Sequence, residues 1–153
     1  MLTHEVMTTK VLTVRLDDHV KKAASLIFLR KFSGIPVIDE AGKLAGMISE
    51  VDILRAIYPS YAQYFEDPTE LRDYEDLGRR YSTTANLQVK EVYNKRLITV
   101  ETETPLLKAL SIMLSQRIRR LPVVDKEGRL IGIISQGDIH QALFNKEFLI
   151  DKT

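Results

Sequence analysis

A shift of 86 positions lays this 153-residue chain onto itself: Pro36 meets Pro122 (122 − 36 = 86), and the offset holds without a gap from Val6/Val92 to Tyr58/Phe144. "VLTV" (11–14) falls on "LITV" (97–100), "IPVID" (35–39) on "LPVVD" (121–125), and "EAGKLAGMIS" (40–49) on "KEGRLIGIIS" (126–135). Self-similarity over roughly 50 residues means that one supersecondary unit is built twice. The organisation read from it is a first repeat over 1–58, a helical insert or linker over 59–89, a second repeat over 90–145 and a C-terminal tail over 146–153.

Both copies spell the same local plan. A short β-branched strand (11–14; 97–100) leads to a helix cap, Asp18 in one copy and Thr104 in the other. Pro105 after Thr104 suits a helix start, because the amide it lacks had no partner there. Val20, Ala23, Ala24, Ile27 and Phe28 then recur at helical spacing, as do Leu106, Ala109, Leu110, Met113 and Leu114. A hairpin follows in each, turned by Asp-x-x-Gly at 39–42 and 125–128. A second helix starts at Ser49 or Ser135. The fold class is α/β (α+β), with each unit β-α-β-β-α. A unit of about 60 residues buries only about 60% of its unfolded surface. The two are therefore expected to pack sheet to sheet about a pseudo-twofold axis, as one two-lobed domain.

The phrase "GMISEVDI" (46–53) returns as "GIISQGDI" (132–139), and its Ser-x-x-Asp has two readings. Ser49 and Ser135 can be N-caps whose boxes Asp52 and Asp138 complete. Alternatively, a helix N-terminus with free amides and a hydroxyl suits a phosphate, while the carboxylate beside it suits a ribose diol. Gly46 and Gly132 allow close backbone approach at the preceding strand. Ser-x-x-Asp alone fits both.

These residues resemble the CBS domain, the cystathionine-β-synthase-type regulatory module, present here as a tandem pair. The resemblance covers about 6–58 and 90–144. It rests on "IPVIDEAGKLAGMISEVDI" and "LPVVDKEGRLIGIISQGDI", which carry the family's hairpin and its G-h-x-[ST]-x-x-D signature. It implies adenosyl ligands in clefts between the repeats: AMP, ADP or ATP, with NAD or S-adenosylmethionine as further candidates. By that implication Asp52 and Asp138 accept from ribose hydroxyls, and Ser49 and Ser135 touch ribose or phosphate. Backbone at Ile35 and Leu121 reads the adenine edge, with Thr13 and Thr99 close by. A stand-alone pair implies a regulatory, non-catalytic role, a homodimer with four units in a disc, and an effector protein as the output. A structural or dimerisation module with self-filled clefts is the alternative, and a small nucleotide-using enzyme a more distant one.

The copies differ before the hairpin. "QRIRRLPV" carries Arg117, Arg119 and Arg120 where the first copy has Lys31, Ser33 and Gly34. Arg119 or Arg120 can hold a ligand phosphate in a planar donor fork, or these cations can complement a helix C-terminus in solvent. In the insert, Ser60 can cap a helix carrying Tyr61, Tyr64 and Phe65, and Asp67-Pro68-Thr69-Glu70 reads as a second start. Its aromatics are expected over the core or against a second subunit. Glu75/Arg79 and Asp76/Arg80 are favourably ordered i, i+4 pairs, the acids from Glu66 to Asp76 read as a solvated helical face, and "STTANL" (82–87) reads as a flexible joint.

Other chemistries find little support. There is no cysteine, and His4, His19 and His140 lack metal-binding spacing, although His140 follows the second motif closely. No metal is expected. No phosphate-binding loop or nucleophile elbow occurs. A net charge of +1 and a short Arg cluster without interleaved aromatics argue against nucleic acid. No apolar run reaches the ~20 residues of a membrane span, and "MLTHEVMTTK" lacks a signal-peptide pattern, so a cytoplasmic location is expected.

Overall fold

The computed structural model describes residues 1–58 and 74–148. In chain order these hold β1 (Val14–Arg15), α1 (Val20–Arg30), β2 (Gly34–Ile38), β3 (Leu44–Ser49) and α2 (Glu50–Ile57). There follow α3 (Tyr74–Asn86), β4 (Val100–Glu101), α4 (Leu106–Gln116), β5 (Arg120–Val124), β6 (Leu130–Ser135) and α5 (Gln136–Phe148). The described strands form two three-stranded sheets, ordered β1-β2-β3 and β4-β5-β6. In each, the short first strand pairs in parallel with the second: Val14 with Val37, Val100 with Val123. Among the described residues, five α-helices and two such sheets make a mixed α/β protein. Among the described residues no helix is long and apolar enough to cross a membrane.

Two compact units divide the chain, and neither follows the repeats alone. One takes 12–40 with the described part of 45–97; the other takes 1–11, 41–44 and the described part of 98–153. Each repeat is completed by the segment preceding the other. In the first unit, Val20 N–H donates to Leu87 O (2.8 Å), Val89 N–H to Asp18 O (2.8 Å) and Lys90 N–H to Leu16 O (3.0 Å). In the second, Leu106 N–H donates to Met1 O (3.1 Å), Thr3 N–H to Thr104 O (2.9 Å) and His4 N–H to Thr102 O (3.1 Å). These are the same three bonds, 86 residues apart. They give an otherwise orphaned first-turn amide of α1 and of α4 its partner.

The cores are equally congruent. The second unit buries Val100, Leu106, Ala109, Met113, Leu121, Val123, Ile134 and Ile139. Subtracting 86 gives Val14, Val20, Ala23, Ile27, Ile35, Val37, Ile48 and Ile53, all buried in the first. At about 25 cal/mol per Å² of apolar surface, this stripe-on-sheet burial is the main favourable term in each unit. The outer members of the helix stripes stand outside it: Phe28 is 49% exposed and Leu114 60%. An eighth-residue repeat drifts round a helix of 3.6 residues per turn.

Two expectations are corrected. Asp18 and Thr104 are not N-caps, for His19 and Pro105 hold that position and neither cap is made by a side chain. Instead each oxygen reaches backward. Asp18 Oδ2 accepts from Arg15 N–H (2.8 Å) and Thr104 Oγ1 from Glu101 N–H (3.1 Å), stapling the turn that leaves the first strand. "STTANL" is no joint either, since α3 runs through Ser82 to Asn86 and Thr84 is buried. Packing of α3 against α1 and α2 overrides the weak helix propensity of Ser and Thr. Arg80 Nε donates to Asp76 Oδ2 (2.8 Å), as expected, whereas Arg79 stands 4.0 Å from Asp76 instead of pairing with Glu75. The readings of Ser60 to Glu70 fall outside the described residues. Beyond residue 145, α5 continues to Phe148.

Candidate functional site

The Ser-x-x-Asp phrases sit where a sheet's last strand turns into a helix. Each hairpin reverses through a glycine with left-handed φ, Gly42 at 77° and Gly128 at 82°, which returns β3 or β6 alongside its partner. The strand ends at Ser49 or Ser135, and α2 or α5 begins on the next residue.

Both phrases form reciprocal capping boxes. Ser49 donates from its backbone N–H (2.8 Å) and its Oγ (2.9 Å) to Asp52 Oδ2, and Asp52 N–H donates to Ser49 Oγ (3.4 Å). Ser135 N–H donates to Asp138 Oδ2 and Asp138 N–H to Ser135 Oγ, both 3.1 Å. Capping is thus a fact of both copies. One carboxylate oxygen remains on each: Oδ1 of Asp52 and of Asp138 has no protein partner among the described residues. All four side chains are half-buried.

The close backbone approach expected at Gly46 and Gly132 is present, but the space is not open to a ligand. The chain's own crossing segments fill it. A methyl on Gly46 would overlap the Asn94 carbonyl oxygen and stand 2.8 Å from Tyr93 Cδ2. One on Gly132 would stand 2.8 Å from Met7 Sδ and 3.0 Å from Thr8 O. Asn94 bridges to Met47, and Thr8 to Ile133, through paired backbone bonds of 2.8–3.0 Å.

The remaining candidates separate into two groups in the second unit. Arg120 opens β5 directly across the ladder from Ser135, and Leu121 pairs with Ile134. Residues paired this way share a sheet face, so Arg120, Ser135 and Asp138 lie together. Arg119 and Arg120 are exposed and make no ion pair among the described residues. The Arg119 carbonyl accepts from Gln136 N–H (2.8 Å), tying the strand to the helix start. Thr99 immediately precedes β4, whose Val100 pairs in parallel with Val123, so it stands in register with Pro122 near the middle of β5. It lines a hollow of about 490 Å³ with Glu101, Glu103, Thr104, Lys108 and Ile112, among others. Ser135 and Asp138 do not line it. In the first unit Gly34 takes the place opposite Ser49: a methyl there would lie 3.7 Å from Ser49 Cβ. Ile35 is buried behind it, and Thr13 is half-buried just ahead of β1. His140 is exposed on α5. No cluster of three metal-ligating side chains occurs among the described residues.

The sequence reading missed the acidic and lysine lining of this hollow and the segments that cover the two glycines. A signal for the latter existed: "EV" at 5–6 recurs at 91–92, and Glu5 and Glu91 each accept the backbone N–H three residues earlier.

Comparison with known proteins agrees with this architecture. The family model described as CBS domain matches residues 4–59 and 89–145. The uncharacterized protein MJ1426 of Methanocaldococcus jannaschii is 33% identical over 155 residues, covering 94% of this chain and 91% of its own. An inosine-5'-monophosphate dehydrogenase of the same organism is 34% identical over 135 residues, but those span 22% of the enzyme and 88% of this chain. Among solved structures, CBSX2 in complex with AMP superposes with a TM-score of 0.72 at 28% identity, covering 95% of this chain and 98% of that one; CBSX2 is a CBS-pair protein of Arabidopsis thaliana.

Proposed function

Since this chain belongs to the CBS-domain family, we propose that it is a non-catalytic regulatory module that binds an adenosyl ligand and passes its state to a partner protein. AMP, ADP and ATP are the leading ligands, with NAD and S-adenosylmethionine as further candidates. One observation carries the reading: likeness over nearly the whole chain to CBSX2, a protein solved in complex with AMP. The unspent Oδ1 atoms of Asp52 and Asp138 support it, being acceptors of the kind a ribose diol needs. Ser49, Ser135, Thr13, Thr99 and the backbone at Ile35 and Leu121 belong to the same reading, with Arg119 and Arg120 as phosphate donors. No step of covalent chemistry is included, and the dehydrogenase likeness is confined to 22% of that enzyme.

A thermal-shift panel of AMP, ADP, ATP, NAD and S-adenosylmethionine tests this, because a ligand that binds only the folded chain raises Tm by mass action. At a hundred times Kd the stabilisation is about 2.7 kcal/mol. A flat panel would remove the proposal. It would favour the second reading, a structural module, for which the closed capping boxes and covered glycines already speak. Homodimer formation is part of the proposal, and sedimentation at micromolar concentration is its check.

A further inference from the structure

In the first repeat, α3 lies across the helix pair. It packs on both α1 and α2, adds Leu77 to the edge of their core, and sets Tyr81 edge-on against Tyr58, with ring centres 6.0 Å apart and hydroxyls 2.6 Å apart. Among the described residues no element spans α4 and α5 in this way. Phe144, 86 residues beyond Tyr58, is 55% exposed, and Phe148 one turn on is 68% exposed. Their rings stack on each other at 4.8 Å. On α4, Leu107 and Leu114 are 64% and 60% exposed, and residues seven apart share a helix face.

The make-up of the two helix pairs runs against their exposure. Where the first repeat has Lys21 and Arg55, the second has Leu107 and Gln141. The pair under α3 carries the charges and the open pair the apolar side chains, the reverse of what water alone favours. Phe28 and Leu29 are exposed too, but side by side in the last turn of α1.

We propose that α4 and α5 are covered by the same two helices of a second copy of this chain, so that the second repeat alone forms the contact. The proposal rests on the homodimer of the proposed function and names its interface. Charge selects the occupant. The stripe Leu107, Leu110, Ser111 and Leu114 is uncharged, so two copies related by a twofold axis set no like charges against each other there. Lys146 and Glu147, next to Phe148, offer opposite signs for pairing between copies, whereas a strongly acidic or basic partner finds no field of opposite sign. Four side chains at these exposures present on the order of 400 Å² per copy, half of the ~800 Å² per partner in a standard interface. In the first repeat α3 closes the equivalent face, so two repeats meet at this contact and not four.

Sedimentation velocity of the full chain at micromolar concentration tests this, with three variants. Leu114→Glu on α4 and Phe148→Glu on α5 each raise the dimer Kd by about a hundredfold, since each carries a carboxylate from both copies into an apolar contact. Phe28→Glu, at the place of Leu114 in the first repeat, leaves the Kd unchanged. All three positions are exposed, and native far-UV circular dichroism is the check that each variant folds. A dimer that survives both second-repeat variants, or that Phe28→Glu weakens equally, overturns this interface and leaves the homodimer standing. A wild-type chain that sediments as a monomer overturns both.

Discussion

Ser49 and Ser135 close the same capping box, yet across the ladder from one stands Gly34 and from the other Arg120. The contrast recurs through the molecule. Every buried core residue of the second unit has a buried apolar partner 86 residues earlier, and the backbone bonds of the crossing segments repeat one for one. Side chains that meet solvent or a crossing segment diverge: Asp18 against Thr104, Val89 against Thr3, Gly34 against Arg120. What the backbone demands is duplicated because both copies must satisfy the same strand, turn and helix start. What it does not demand has separated, and the separated positions are where the two copies can hold different functions.

The largest expected effect tests the duplicated part. At Gly46 an added methyl meets the Asn94 carbonyl, which is backbone in a paired bridge and cannot move alone. At Gly132 the first obstacle is Met7 Sδ, in a flexible side chain. Gly46→Ala is expected to destabilise the protein by about 3 kcal/mol, and Gly132→Ala by about 1 kcal/mol. Urea denaturation compares them, and equal costs would mean that the two crossings are mechanically alike.

Next come the carboxylates. Asp138→Ala removes a capping box and, on the proposed reading, one ribose acceptor. The first is expected to lower stability by about 1 kcal/mol; the second weakens AMP binding about ten- to a hundredfold. Asp52→Ala carries the same capping cost, so the pair of variants assigns the ligand to one copy or both. Calorimetric titration reads the affinity and urea denaturation the stability. A variant that loses stability but keeps its affinity assigns that Asp to capping alone.

Much of this was legible in the sequence, because the repeat gave each local pattern a second witness. The β-α-β-β-α units, the hairpin turns and the apolar stripes of α1 and α4 all follow from residues close together in the chain. The misreadings share a cause. Asp18 and Thr104 are good acceptors near a helix start, and sequence does not say whether an acceptor serves the amides ahead or the one three residues behind. Ser82–Asn86 is helical because distant helices bury Thr84, a non-local effect. Gly46 and Gly132 signalled a close approach, but not whose. At the site itself, Ser49 and Asp52 satisfy the chemistry of a cap and of a ribose contact with the same atoms, so their pattern could not separate the two. The hollow draws on residues from Thr99 to Val124, joined by folding and not by any motif.

A smaller effect concerns the residues that end α1 and α4. Lys31 and Arg117 both adopt left-handed φ of 56°, a conformation that costs a side chain roughly 1 kcal/mol and glycine almost nothing. Lys31→Gly and Arg117→Gly are each expected to stabilise by about 0.5 kcal/mol, the relief being partly offset by the freer unfolded chain. Thermal denaturation measures both. If Arg117→Gly also weakens nucleotide binding while Lys31→Gly does not, the Arg cluster of the second copy is a ligand contact beyond its role at the helix end.

The smallest effect divides the two turn staples by pH. Burial opposes the charged form of Asp18, but the Arg15 amide and the Lys22 ammonium, with the Arg15 charge, outweigh it and hold its pKa below the ordinary 3.8. A carboxylate depressed on folding stabilises fully above its unfolded pKa, and that contribution fades as pH falls through the lower, folded value. Thr104, which makes the matching bond in the other unit, does not titrate. Acidification from pH 5 toward pH 2 should therefore loosen the Arg15–Asp18 turn by a few tenths of a kcal/mol and up to about 1, while the Glu101–Thr104 turn is spared. Amide exchange at Arg15 and Glu101 across that range reads both turns in one sample. Asp18→Thr makes the first staple a copy of the second, and should erase the acid sensitivity at Arg15 while keeping the turn; if the sensitivity persists, it arises from some other group and the staples are equivalent.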